Sequence, residues 1–135
     1  MIKVLCVDDN QFVGGAIKAK LDRAGGFEWL GQLPNANNMV DVAQRLNPDV
    51  ILLDIDMPGR DPFAALMELS ERCPEVRALM FSGHVSRALV DRAIQAGAWG
   101  YFSKDDDVDS MLDTIQDVAR GGFALGSDVR AELFQ

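Results

Sequence analysis

Val50-Ile51-Leu52-Leu53-Asp54 is the stretch that decides the fold of this 135-residue chain. Four consecutive apolar residues leave no polar face, so the segment suits a central strand of a parallel sheet, covered by helices on both sides. It stops on a carboxylate. Helical patterns flank it. Upstream, Met39, Val42, Ala43 and Leu46 recur at helical spacing, opened by Asn37 or Asn38 and ended by Asn47-Pro48. Downstream, Asp61-Pro62 joins a capping residue to a proline at the first helical position, and Leu66 and Leu69 carry that helix to Cys73-Pro74.

The same alternation continues in both directions. Ile2–Val7 is an apolar run broken only by Lys3, and it ends in Asp8-Asp9. Asn10 caps the helix that follows, with Val13, Ile17, Leu21 and Ala24 on its apolar face and Gly25-Gly26 as its stop. Phe27–Leu33 alternates, Phe27, Trp29 and Leu33 against Glu28 and Gln32, which suits a strand nearer an edge. Val76–Phe81 ends in Ser82, and Ser86 caps a helix bearing Leu89, Val90, Ala93 and Ile94, closed by Gly97. Trp99–Phe102 leads into Ser103-Lys104, and Asp107 caps a last helix with Met111, Leu112, Ile115, Val118 and Ala119, closed by Gly121-Gly122. Five βα units with crossovers of this length require parallel strands and helices on both faces, a three-layer α/β/α domain. Beyond Gly122 the chain adds one amphipathic piece, with Val129 and Leu133 at i and i+4, and no further strand is expected.

Composition narrows the function. Hydrophobic content of 48% and charged content of 25% suit one globular domain, and no apolar run is long enough to span a bilayer. Met1-Ile2-Lys3 enters a strand at once, so the expectation is a cytoplasmic chain without a signal peptide or membrane partner. Cys6 lies within a strand and Cys73 at a helix end, which reads as two reduced thiols. A net charge of −8 speaks against direct nucleic-acid binding and fits a domain that works with a divalent cation. There is no internal repeat or low-complexity segment.

In an open parallel sheet the ligand site lies at the carboxyl ends of the strands. Asp8, Asp9, Asp54, Ser82 and Lys104 all stand there. Carboxylates ~4 Å apart repel by about 4 kcal/mol per pair at an effective dielectric near ~20, so the three acids need compensation. A proton could offset one charge. A Mg²⁺ ion offsets two and favours carboxylates, waters and a phosphate oxygen as ligands, with Mn²⁺ a possible substitute. An ionised aspartate is also a competent nucleophile toward phosphorus, and phosphoryl transfer needs mainly positioning and charge neutralisation.

Taken together, Asp8-Asp9, Asp54, Ser82 and Lys104, with Met57-Pro58-Gly59 after the third strand, resemble the receiver (CheY-like) domain of two-component response regulators. The match runs from residue 1 to about 121. The resemblance implies a flavodoxin-like, doubly wound, five-stranded parallel sheet of order 2-1-3-4-5. It implies that Asp54 accepts a phosphoryl group from a histidine kinase or phosphotransfer protein. Asp8, Asp9 and Asp54, with the main-chain carbonyl of Asp56, would hold Mg²⁺. Lys104 would pair with the phosphoryl oxygens, Ser82 would move to hydrogen-bond them, and Tyr101 would follow as the switch aromatic. Asp56, Met57 and His84 would line the rim, where this family tunes attack by water on the acyl phosphate. Beyond self-phosphorylation and slow autodephosphorylation at Asp54, no enzymatic turnover is implied.

The tail carries a second resemblance. Ala119-Arg120-Gly121-Gly122-Phe123-Ala124-Leu125, then Ser127 to Leu133, is similar to the junction between receiver and output domain in LuxR-type (NarL/FixJ-like) transcription regulators. That implies a receiver over 1–121, the start of a linker over 122–135, a homodimer on phosphorylation, and DNA contact only through an output domain absent from this chain. A stand-alone single-domain receiver and a phosphorylation-independent docking module are the alternatives. One departure bears on the second. Many receivers follow the lysine with proline, whereas Asp105, Asp106 and Asp107 follow Lys104 and could draw its ammonium aside; the same three also suit a solvated loop plus helix cap. A remote alternative rests on Asp54-Ile55-Asp56, which resembles the nucleophile motif of haloacid-dehalogenase-type phosphohydrolases. That family places the motif on its first strand, and the reading leaves Asp8-Asp9 unexplained.

Overall fold

The computed structural model describes residues 1–134. β1 (Ile2–Val7) lies between β2 (Phe27–Leu33) and β3 (Val50–Leu53), and β4 (Arg77–Ser82), β5 (Gly100–Ser103) and a short β6 (Ala124–Leu125) follow on the β3 side. Every pairing is parallel, in the order β2-β1-β3-β4-β5-β6. The expected order 2-1-3-4-5 is present with one strand added at its edge. The helices are α1 (Gln11–Ala24), α2 (Met39–Leu46), α3 (Pro62–Arg72), α4 (Arg87–Ala96), α5 (Val108–Ala119) and α6 (Ser127–Leu133).

The period-two pleat of each strand builds two cores. Val4, Cys6, Val50, Leu52, Leu79, Phe81 and Phe102 pack with Ile17 and Leu21 of α1 and Met111, Ile115 and Val118 of α5. The alternate positions, Leu5, Val7, Ile51, Leu53, Ala78, Met80 and Tyr101, pack with α2, α3, α4 and Val129 of α6. Both faces of β1, β3, β4 and β5 are thereby covered, which is why their sequences show no polar face. Local chemistry sets the helix starts. The side chains of Asn10, Asp61, Ser86 and Asp107 each accept a main-chain N–H at the head of α1, α3, α4 and α5. Asn38 precedes α2 without such a bond.

Three expectations are corrected. The first concerns β6, which pairs Gly100 with Ala124 and Tyr101 with Leu125. A Cβ at residue 100 would lie 2.3 Å from the Ala124 carbonyl oxygen, so the glycine admits this strand. The expected helix beyond it is α6, and Val129 is fully buried. The end of the expected linker, Gln135, lies outside the described residues. The second concerns β2. Its register against β1 shifts between Val4 and Leu5, where Leu30 is the extra residue and Gly31 has φ 136°. The bulge turns Leu33 toward the α2 and α3 side while Trp29 stays toward α1, so the two do not share a face. The third is Ile94, which is exposed because α4 buries the narrower stripe Val90, Ala93 and Ala96.

Candidate functional site

Main-chain hydrogen bonds at the strand ends bring the acids together. The Asp8 N–H donates to the Leu33 carbonyl and the Asp54 N–H to the Val7 carbonyl, each at 2.9 Å, so both aspartates leave neighbouring strands at one level. The Lys104 N–H donates to the Ser82 carbonyl at 2.9 Å and aligns the ends of β4 and β5 in the same way. Asp8 and Asp54 are almost wholly buried, and Asp9 is exposed at the rim. One carboxylate oxygen from each of the three lies within 4.8 Å of the others.

Lys104 is the compensating charge. Its Nζ donates to Asp8 Oδ2 at 2.7 Å and stands 3.2 Å from Asp54 Oδ2. The aspartate run behind it does not divert it. Asp105 gives its N–H to Ser103 Oγ, Asp106 accepts from the Ser127 hydroxyl and the Asp128 N–H, and Asp107 caps α5 through the Asp109 N–H. The other oxygens of the buried acids bind main chain: Asp8 Oδ1 accepts from Asn10 N–H at 2.8 Å and Asp54 Oδ1 from Asp56 N–H at 3.3 Å. Burial holds the Asp54 carboxyl above its ordinary pKa; the ammonium of Lys104 opposes that rise and the charge of Asp8 adds to it. Burial alone would lower the pKa of Lys104, but the hydrogen bond to Asp8 and the charge of Asp54 outweigh it and hold the amine above its ordinary value.

Ser82, His84 and Tyr101 form one unit beside the acids. The Ser82 hydroxyl accepts the His84 N–H at 2.9 Å, and the Tyr101 hydroxyl, turned inward, donates to the His84 carbonyl at 2.5 Å. Burial pushes the Tyr101 phenol up to about 12, so it stays a donor. At the rim, His84 Nε2 lies 3.1 Å from Asp56 Oδ2, and both side chains are exposed. Met57 is half-buried against the core on the α3 side. Every residue expected at the site or its rim is therefore at this end of the sheet.

Sequence reasoning missed Gln32. Its Nε2 donates to the carbonyls of Asp8 at 2.8 Å and Asn10 at 3.0 Å. An edge-strand glutamine carries no such signal. The only hint was a glycine pair, Gly14-Gly15, inside a helical pattern, where glycine is otherwise unfavourable.

An all-oxygen donor set suits a hard divalent cation such as Mg²⁺ or Mn²⁺ better than zinc or copper. Three carboxylates facing one ammonium leave two negative charges, the charge that a divalent ion balances. The residues present fit such an ion.

Comparison with known proteins agrees with this geometry. The profile of the response regulator receiver domain matches residues 4–116. The transcriptional regulatory protein DegU of Brevibacillus brevis is 33% identical over 134 residues, which are 99% of this chain and 57% of that protein. The chain thus spans little more than half the length of that relative. Among solved structures, a two-component response regulator of the LuxR family from Aurantimonas sp. superposes with a TM-score of 0.90 at 24% identity, over 97% of this chain and 94% of the other. A response regulator from Burkholderia pseudomallei, solved with a phosphorylated aspartic acid and a calcium ion, has a TM-score of 0.78 at 25% identity, over 99% of this chain and 74% of the other. The haloacid-dehalogenase reading falls here, because Asp54-Ile55-Asp56 follows the third strand of the chain rather than the first. Strand order, the arrangement of carboxylates and lysine, and the profile match lead to one conclusion: the chain belongs to the response regulator receiver domain family of two-component systems.

Proposed function

We propose that Asp54 is the phosphoacceptor of this receiver and that the phosphoryl donor is a phosphohistidine on a histidine kinase or phosphotransfer protein. The observation that carries this reading is the Lys104 ammonium lying between Asp8 Oδ2 and Asp54 Oδ2 at the carboxyl end of the sheet. A carboxylate oxygen of Asp54 attacks phosphorus in line. The new P–O bond forms as the P–N bond breaks, and the departing imidazole nitrogen takes up a proton from solvent. Lys104 is near enough to follow the phosphoryl oxygens with its ammonium. Ser82, freed from the His84 N–H, supplies a hydroxyl to them, and Tyr101 keeps the His84 carbonyl in place from within the core. Asp8, Asp9, Asp54 and the carbonyl of Asp56 are the residues that would hold Mg²⁺, which when bound neutralises charge on the transferring group. Self-phosphorylation by small donors and slow autodephosphorylation at Asp54 belong to the same chemistry.

The output is regulation of transcription by a DNA-binding domain that follows the receiver, with phosphorylation favouring a homodimer in the cytoplasm. The names of the relatives support the transcriptional role, and an acidic chain such as this one would reach DNA only through that further domain. Residues 1–121 carry the switch, and 122–135 lead toward the output domain. No helix among the described residues is long and apolar enough to cross a membrane. Acetyl phosphate with Mg²⁺ tests the reading: the wild-type mass should rise by one phosphoryl group and that of Asp54→Asn should not. An unchanged wild-type mass would favour a docking module that needs no phosphorylation.

A further inference from the structure

We propose that Gln32 is a positioning residue for the acidic cluster, and that Gly14 is the residue that admits it. The inference rests on the reading of Asp8, Asp9 and Asp54 as a Mg²⁺ site. Gln32 makes its hydrogen bonds to main chain and not to their carboxylates. Its amide instead ties the two carbonyls on either side of Asp9, those of Asp8 and Asn10, at 2.8 and 3.0 Å. Asp9 is the exposed member of the cluster, so its aim depends on how firmly the flanking main chain is held. A ligand whose backbone is already fixed loses less conformational freedom on binding a cation.

Two independent features of the fold serve this contact. A Cβ at residue 14 would stand 1.7 Å from Gln32 Oε1 and 2.3 Å from its Cδ, so any residue but glycine in that turn of α1 expels the side chain. Glycine inside a helix is unfavourable relative to alanine, and here the space it leaves is filled by the amide. The second feature is the β2 bulge. In an unbulged pairing continued from Val4 and Trp29, Gln32 would lie opposite Val7 and face the α2 side; because Leu30 bulges out of the ladder before Gly31, it pairs with Cys6 and faces α1.

The test is a magnesium chloride titration, without phosphodonor, followed by the amide NMR signals of residues 8–10. Gln32→Met keeps length and neutrality but cannot donate. It should weaken Mg²⁺ binding about tenfold, the lower end of the usual effect of removing a partner that orients a ligand. Gly14→Ala should weaken it similarly, although residue 14 contacts no ligand. The double variant Gly14→Ala/Gln32→Ala should bind Mg²⁺ as Gln32→Ala does, because the alanine then has nothing to expel. That absence of additivity is a readout that a merely structural effect on α1 would not produce. The Mg²⁺ concentration giving half-maximal phosphoryl addition should rise in parallel. Wild-type affinity in Gln32→Met, or fully additive losses in the double variant, would overturn the proposal while leaving the Mg²⁺ site intact. A wild-type protein whose amides do not respond to Mg²⁺ would overturn both.

Discussion

Asp54 is held in a state of electrostatic tension. Burial raises its pKa, Lys104 pulls it back, and Asp8 pushes it up again. The consequence for stability has a definite sign. A carboxyl whose folded pKa is raised contributes stability that is fully present below its unfolded value, ~3.9, and lost as pH rises through the folded value. Above its folded value the charged Asp54 carboxylate therefore weighs against folding. Without divalent cation, Asp54→Asn should melt a few degrees above wild type at pH 7, and the gap should close as pH falls below the ordinary carboxylate range. Mg²⁺ should reverse the order, since ligand at a hundredfold excess over Kd stabilises by about 2.7 kcal/mol and the variant lacks a ligand. Thermal melts at several pH values, with and without Mg²⁺, check this; an Asp54→Asn protein that melts lower at pH 7 without cation contradicts it. The two thiols are protected by burial. Burial pushes Cys6 up to about 12 and raises Cys73 as well, so neither forms appreciable thiolate at neutral pH. Both should resist a thiol reagent in the native protein and react fully in denaturant.

Among the elements, those governed by local chemistry were the readable ones. Asn10, Asp61, Ser86 and Asp107 each bond an N–H within two or three residues, so the sequence carries the whole interaction. Asp8, Asp9, Asp54 and Lys104 were readable for a related reason: an apolar strand that ends on a charged group points to the site end of the sheet. What escaped depends on partners distant in sequence. The edge pairing of β6 needs the bare Cα of Gly100, and the face of Gln32 is set by a bulge that alternation cannot reveal. Asp106 is a similar case, because its partners, Ser127 and Asp128, lie more than twenty residues on, at the head of α6. Asp106→Ala should remove that cap at a cost on the order of 1 kcal/mol. Hydrogen exchange should then speed up in α6 and leave α1 unchanged; uniform protection across both helices would show that the cap does not hold α6.

For the whole molecule, the sheet is sealed at its β5 edge by residues that the sequence reading assigned to a linker. β6 covers Gly100 and Tyr101, and α6 inserts Val129 into the core on the α4 side. A chain ending after Gly121 should therefore be less stable than the full chain by at least the burial of one valine, about 1.5–3 kcal/mol. Urea unfolding measures this, and equal midpoints would return residues 122–134 to the status of a linker. The same tail is tied to the Lys104 loop by the Ser127 hydroxyl, which donates to Asp106.

On the proposed reading the buried Asp54 takes the phosphoryl group, rather than Asp8, Asp9, Asp56 or the Asp105-Asp106-Asp107 run at the same end of the sheet. Borohydride reduces an aspartyl phosphate to homoserine, so it marks the acceptor permanently. After acetyl phosphate and Mg²⁺, reduction and peptide mass mapping should find homoserine at position 54 alone. Homoserine at any other aspartate, or none at position 54, would show that Asp54 is not the acceptor.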